Sequence, residues 1–390
     1  MKPRLLLMYM SALLLAVGSS ALGAYTTIYT SPDWGYTGYA GVGDADNDGA
    51  NEIVFSAWNR AAIYSYDGSS FVLDANWTLD DDAGPGVQAA FGIAVGDSDN
   101  DGRNNLLFGT WAHKVLGYQY DGSKYAFKGA LPWSDYGNWT IRIANTDGAP
   151  GNEILVGGRY GNFYGFRSDG SQYTRFYTSP EIGTDRSVWI RGVGNTNGNG
   201  QMDVFTYCDQ GIVDIWEANG DDFLNVFHKE FDNSPGAIAA GTIYDTDGDG
   251  VSEVFYADAY GNLHGVRYNG LQYVQFWTGS VGWCPSELAI GDIDRNGSLE
   301  LFVGGSAGEL SVIGLDDASV VDLGKYPSSV HLSVGDVTGD GAAELVVAVD
   351  DGRFHVIAPE PSTLALLSMS ALGLLVYAWR EGRRRAKSAT

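Results

Sequence analysis

The stretch GDADNDGANEIVF, Gly43 to Phe55, returns six more times along this chain. Its first acidic or amide position falls at residues 44, 97, 145, 195, 245, 292 and 336, a step of 44–53 residues. A period of that length marks an array of small units, none of which can bury its apolar face alone. A small-residue strand leads into each loop where the pattern is clearest (YAGVG, GIAVG, LAIG, LSVG). After the acidic loop comes a β-branched and aromatic run, then a short turn and a third strand. An Asn-Gly or Asp-Gly pair follows in five units (Asp67-Gly68, Asp121-Gly122, Asp169-Gly170, Asn219-Gly220, Asn269-Gly270). Such pairs favour φ > 0 and two-residue hairpin turns. A fourth strand closes the unit. Four antiparallel strands at this spacing make one propeller blade. The expectation is an all-β, seven-bladed propeller over residues 25–358, helical only in its two end segments.

The ends of the array predict how it closes. The last unit stops after its third strand, near Ala358, while an orphan strand, TTIYTSPDWG (26–35), precedes the first. That strand shares six of ten residues with TRFYTSPEIG (174–183), the fourth strand of the third unit. Thr26–Tyr29 is therefore expected to pair with the strand near Phe354–Ile357 and close the ring, which removes exposed sheet edges. A linear solenoid is the alternative.

The loop pattern D-x-D-x-D-G-x-x-E places side-chain oxygens at positions 1, 3, 5 and 9 and a backbone carbonyl at position 7. Like charges this close repel unless a cation sits among them. A hard cation with six to eight oxygen ligands suits the set, and a glycine at position 6 permits the wrap. The bland alternative is an ordinary Asp/Asn/Gly turn. The first and fifth loops are complete: Asp44, Asp46, Asp48, Ala50 and Glu52, and Asp245, Asp247, Asp249, Val251 and Glu253. The sixth has Asp292, Asp294, Asn296, Ser298 and Glu300. The second has Asp97, Asp99, Asp101 and Arg103 but Asn105 at position 9; the seventh has Asp336, Thr338, Asp340, Ala342 and Glu344. Metal is expected in these five. The third loop loses position 5 at Ala149 and carries Pro150 where glycine belongs, so none is expected there. In the fourth, Asn195, Asn197 and Asn199 leave Asp203 as the sole charge, and amides are expected to hold the turn directly.

Loops of this kind in a seven-unit array resemble the FG-GAP (integrin α-chain-like, VCBS-related) repeat family over residues 25–358. The resemblance implies structural calcium, about three to five ions, bracing the blades on one face. It also implies that ligands are taken on the opposite face.

Both ends read as processing signals. Lys2 and Arg4 precede an apolar run, Leu5 to Val17, then small residues to Ala24, the order of a secretory signal over residues 1–24. At the other end, Pro359, Glu360 and Pro361 precede an apolar stretch, Leu364 to Trp379, that meets Arg380, Arg383, Arg384 and Arg385. A plain membrane tail is one reading of residues 359–390. The triplet, short span and arginine cluster resemble the PEP-CTERM sorting signal. That resemblance implies export in a Gram-negative bacterium, transient membrane association, cleavage near the triplet by an exosortase-type enzyme, and delivery to the cell surface or exopolysaccharide matrix. The net charge of −25 excludes the basic footprint of a nucleic-acid binder. Cys208 and Cys284 lie in different units and are read as two thiols rather than a disulfide.

No catalytic constellation stands out. Gly304, Ser306 and Gly308 match G-x-S-x-G, but that motif needs a strand-to-helix elbow and here lies between two strands. His113 is read as a polar surface residue. Trp58, Trp111, Tyr160 and Tyr260 fall in turns between second and third strands; Trp34, Trp133, Trp139, Trp189 and Trp283 are assigned to connections between blades. In a propeller both classes emerge opposite the acidic loops. Exposed rings there suit stacking on sugars, against the alternative of packing between blades. The function expected is non-enzymatic adhesion or binding, with polysaccharide or a surface protein as partner. A polysaccharide lyase or hydrolase is one alternative, and would need charged residues converging on the aromatic face. A purely structural matrix protein is the other.

Overall fold

The computed structural model describes residues 25–80, 90–111, 114–132, 140–170, 172–183, 186–208, 211–231 and 240–360. The expected leader (1–24), the tail beyond Glu360 with Pro361, and His113, Trp133 and Trp139 lie outside them. The described residues form strands β1 to β28, arranged as seven sheets of four. Blade one is the meander β2 (Gly38–Gly43), β3 (Glu52–Ala57), β4 (Arg60–Tyr66) and β5 (Phe71–Thr78). Blades two to six open with β6 (Ala90–Gly96), β10 (Thr140–Ala144), β14 (Val188–Gly194), β18 (Ala240–Tyr244) and β22 (Pro285–Gly291). Blade seven combines β26 (Val330–Gly335), β27 (Glu344–Val349) and β28 (Arg353–Pro359) with β1 (Tyr25–Thr30).

The ring closes as the sequence predicts. β1 runs antiparallel to β28, with Thr26 opposite Ala358, Thr27 opposite Ile357 and Tyr29 opposite Val356, across a bulge. β2 lies against both β6 and β26, so the array is a ring and not a solenoid.

The core is divided between the blades. Seven buried clusters fill the seven interfaces; one joins Val54 and Ile63 to Leu106 and Phe108, and another joins Phe55 and Tyr64 to Val346 and Phe354. The second strand of a blade packs on both faces, which is why its sequence is a continuous apolar run rather than an alternation. β3 and β27 are buried at every residue.

Small residues near the axis let the blades approach. The residue before the acidic loop is Gly43, Gly96, Gly194, Gly291 or Gly335 in five blades. A Cβ on Gly335 would lie 2.6 Å from Val42 of blade one, and a Cβ on Gly194 2.6 Å from Ile243 of blade five. Each such glycine thus receives a β-branched side chain of the next blade. Replacing Gly194 with Val should push blade five outward and cost roughly 1–3 kcal/mol. Thermal unfolding measures this, and an unchanged midpoint would remove the packing argument.

Candidate functional site

The acidic loops join first to second strands at one end of the ring. Position 9 has a role that the ligand pattern alone did not reveal. In all seven loops its oxygen accepts the backbone N–H of position 2: Ala45 to Glu52 at 2.7 Å, Ser98 to Asn105 at 2.8 Å, Thr146 to Glu153 at 2.7 Å and Thr196 to Asp203 at 2.9 Å. Thr246 to Glu253, Ile293 to Glu300 and Val337 to Glu344 complete the set. The signal was present in the sequence, since an oxygen acceptor survives at position 9 even where the other ligands are lost. Position 1 gathers backbone donors in the same way: Asp44 accepts from Asp48 and Gly49, and Asp336 from Gly339, Asp340 and Gly341. The position-7 N–H donates to position 5, as from Ala50 to Asp48, Arg103 to Asp101, Val251 to Asp249, Ser298 to Asn296 and Ala342 to Asp340. Crowded carboxylates are thus partly offset by oriented amides.

Four loops bring three carboxylates together, with ligand oxygens within 4.8 Å of one another: Asp44/Asp46/Asp48, Asp97/Asp99/Asp101, Asp245/Asp247/Glu253 and Asp292/Asp294/Glu300. In the sixth loop Glu300 keeps one buried oxygen, Oε1, that no protein donor meets. Converging acceptors with a missing donor fit a hard cation. In the second loop the single amide oxygen of Asn105 is taken by Ser98 and Asp99, leaving no position-9 ligand. Beside the first loop is a cavity of roughly 390 Å3 lined by Asp46, Asp48, Glu52 and Asp74, the last from β5 and unforeseen.

The seventh loop differs from expectation. Asp340 is bound by Arg295 of the sixth loop at 2.5–2.6 Å, and Thr338 donates to Glu344 at 3.1 Å. Its carboxylates form none of the four gathered sets. The third loop has no gathered set either, and holds a protein cation instead. Arg167 reaches Asp147 at 2.6 Å and Glu153 at 3.2 Å, and also bonds Asp221 of blade four. In the fourth loop Asn195 and Asn197 accept the N–H groups of Gly198 and Asn199 at 3.0 and 3.1 Å within the turn, while Asn197 and Asn199 donate to Glu217 of the third strand at 3.2 and 2.6 Å. Neighbouring loops are also pegged together by position 8. Asn51, Asn104 and Asn152 donate to the carbonyls of Asp336, Asp44 and Asp97 at 2.8–3.0 Å.

The opposite end carries the aromatic rings. Trp58, Tyr160 and Tyr260 lie in turns between second and third strands and are exposed, Tyr260 at 66%. Trp111 and Trp283 are half-buried in the turn and connection expected for them. Trp189 is misplaced in the sequence reading: it is the second residue of β14 and packs on the cluster between blades four and five. Trp34 is half-buried too and donates to the Tyr64 hydroxyl at 3.1 Å. Most of these rings retain exposed area, and Trp58 stands out among them. Its φ is +55°, a conformation costly for a bulky residue. The corresponding turns of five other blades use Gly161, Gly211, Gly261, Gly308 and Gly352 at positive φ. Trp58 is held there by backbone bonds to Thr37 and Ala90 and by the Tyr36 ring at 5.3 Å.

On the axis is a feature that sequence reasoning missed. It found no charged residues converging at this end, yet Arg142, Arg191, Glu287, His331 and Asp350 line one cavity of roughly 530 Å3. Arg191 donates to Glu287 at 2.8 Å; the His331 ring lies 3.3 Å from Asp350 and stacks on Tyr39 at 4.0 Å. Burial lowers the pKa of His331, but Asp350 and Glu287 outweigh it and hold the ring above the usual histidine value.

Cys208 and Cys284 are free thiols, as expected. Gly304 and Gly305 end one strand and Glu309 begins the next, so Ser306 sits in a strand–turn–strand and not on a nucleophile elbow.

No family model and no curated protein matches this chain. Among solved structures it is similar to the chain in a crystal structure of BBS1N in complex with ARL6DN, soaked with mercury. The similarity covers 88% of this chain and 99% of that one, with a TM-score of 0.60 and 12% identity. At that identity it establishes the propeller fold and nothing finer.

Proposed function

We propose that this chain is an exported, calcium-braced propeller that binds polysaccharide through its aromatic face, at the cell surface or in the surrounding matrix. The observation that carries the binding role is Trp58. A large ring is held exposed in a left-handed turn where five other blades use glycine, and strain of this kind concentrates at functional sites. Calcium is supported by the four gathered carboxylate sets and the orphaned Glu300 oxygen. Export and sorting rest on the two end segments. The chain path agrees with them: β28 ends at Pro359, opposite Tyr25, at the acidic-loop end of the ring. Cleavage at Pro359–Pro361 would leave the ring whole, and a tail there would turn the aromatic face away from the membrane.

The test uses the purified full chain and the exopolysaccharide of the producing bacterium, with calcium and then with chelator, while sugar turnover is followed in the same samples. Calcium-dependent binding without turnover is the expected result. Replacing Trp58 with Gly should weaken binding roughly tenfold while leaving the melting temperature unchanged or higher, since about 1 kcal/mol of backbone strain is relieved. Loss of binding together with loss of stability would make Trp58 a packing residue. Binding to a surface protein and not to polysaccharide would change the partner. One observation favours an enzyme: Tyr39, His331 and two arginines share a cavity, a set able to move a proton and steady an anion. Turnover would overturn the non-enzymatic reading.

Calcium also sets a pH test. Burial, and after it the adjacent aspartates, push Glu52 and Glu300 up to about 7, against the N–H bonds each accepts; burial pushes Asp203 up to about 6. In chelator the folded protein therefore holds these protons more tightly than the unfolded chain. Its stability should fall as pH rises from about 5 to about 8. Calcium needs the ionised carboxylates, so saturating calcium should flatten or reverse that slope. Identical slopes with and without calcium would count against ion binding.

A further inference from the structure

The axial cavity is built around an arginine that forms no direct ion pair among the described residues. Arg142 donates to two carbonyls, its own neighbour Ile141 at 2.8 Å and Arg191 at 3.5 Å. A guanidinium carries five N–H donors, and among the described residues no carboxylate lies within ion-pair distance of this one. Arg191 is 4% exposed and already paired with Glu287. Glu287 and Asp350 are shared with His331. Both carboxylates of the cavity are thus engaged by Arg191 and His331, while Arg142 is left with the two carbonyls. The cavity walls also carry Ile93, Ile143, Leu332, Phe91, Tyr39 and Trp189, with the hydroxyls of Thr140, Ser286, Ser329 and Ser333 among them. Arg142 is half-buried, and a charge partly withdrawn from water gains from a partner.

We infer that the axial cavity binds a carboxylate-bearing sugar unit, a hexuronate, whose carboxylate pairs with Arg142 while its ring lies against the aromatic wall. One guanidinium without an ion-pair partner suits a monoanionic carboxylate better than a dianionic phosphate. Arginine's fork matches the two carboxylate oxygens. Aromatic faces supply flat apolar surface for the ring, and the shared cavity brings both together. This inference rests on the polysaccharide reading above and narrows it to acidic sugars.

The experiment is calorimetric titration of the full chain in calcium with tetragalacturonate, with its full methyl ester, and with succinate as a sugar-free carboxylate. Tetragalacturonate should bind at least about tenfold more tightly than the ester, as the loss of a charge-assisted hydrogen bond implies. Arg142→Gln should erase that preference. Calcium held by the opposite face could bridge uronates, so the preference must depend on Arg142. Arg142→Lys keeps the charge without the fork and should fall between the two; it carries the test if the Gln variant fails to fold. Equal binding of acid and ester would overturn the carboxylate site and leave the sugar-binding reading standing. Failure of every sugar to bind folded protein would overturn both. Succinate binding as tightly as the tetramer, and lost in Arg142→Gln, would confirm the carboxylate site but assign it to free small acids.

Discussion

Removal of residues 25–30 should open the ring rather than trim it. β1 supplies the outer strand of blade seven, and the pairing continues past its end. Ser31 donates its N–H to Phe354 at 2.9 Å, and its hydroxyl oxygen accepts the Phe354 N–H at 2.9 Å. Two rings are lost with the strand. Tyr29 packs on Phe71, Phe354 and Tyr64, and Tyr25 meets Phe302 edge-on at 6.0 Å. Burying a large apolar side chain is worth roughly 2–3 kcal/mol, and each net backbone hydrogen bond about 1 kcal/mol. The sum approaches the whole stability of a typical domain, about 5–15 kcal/mol. It also leaves β28 with a free edge, ready to pair with another chain. A chain beginning at Ser31 should therefore melt far below the intact protein, or be recovered as oligomers. Circular dichroism melts and gel filtration read both outcomes. A monomer with a near-native melt would show that the closing strand is dispensable.

The closing strand was legible because its sequence duplicates a fourth strand that lies inside the array, TRFYTSPEIG (174–183). The blades were legible because each is local: four strands, one acidic loop and one tight turn within a single period. The axial cavity was not, for the opposite reason. Arg142, Arg191, Glu287 and His331 come from four blades, and none belongs to a local motif. Ring closure alone makes them neighbours. Bulges add to the concealment. The register slips between Ile190 and Gly192 and between Pro285 and Glu287, which shifts the inward–outward alternation at Arg191 and beside Glu287. Trp189 was misassigned in the same region, where strand and connection read alike. The pairing in the seventh loop has a similar origin. Arg295 is an unremarkable position-4 residue within its own loop, and its bond to Asp340 exists because two loops of different blades are adjacent.

Arginine also decides what the third loop can do, and substituting it should have the largest effect of any single side chain discussed. Glu153 is buried, with Oε2 accepting from both the N–H and the hydroxyl of Thr146 and Oε1 facing Arg167. The guanidinium lies 4.0 Å from the Phe176 ring centre, which fixes it over the loop. With position 5 lost to Ala149, arginine here supplies the positive charge that calcium is proposed to supply elsewhere. Arg167→Met keeps much of the side-chain length but leaves Asp147 and Glu153 facing each other unpaired. Breaking a largely buried pair costs roughly 3 kcal/mol, somewhat less here because the Asp221 arm is exposed. The loss should appear in chelator and shrink when calcium is added, because the vacated carboxylates become a cation site. Blade five provides the comparison. Arg267 occupies the matching place, since the pairing of Val254 with Val266 brings it opposite Glu253. It too lies over an aromatic ring, Phe276 at 5.3 Å, but it makes no ion pair among the described residues, and Asp245, Asp247 and Glu253 stay gathered. Arg267→Met should accordingly have little effect on stability in calcium. Chelator melts of the two variants separate the cases. If Arg167→Met melts like the parent protein, the guanidinium is not the third loop's cation, and the division of blades into calcium-held and arginine-held falls with it.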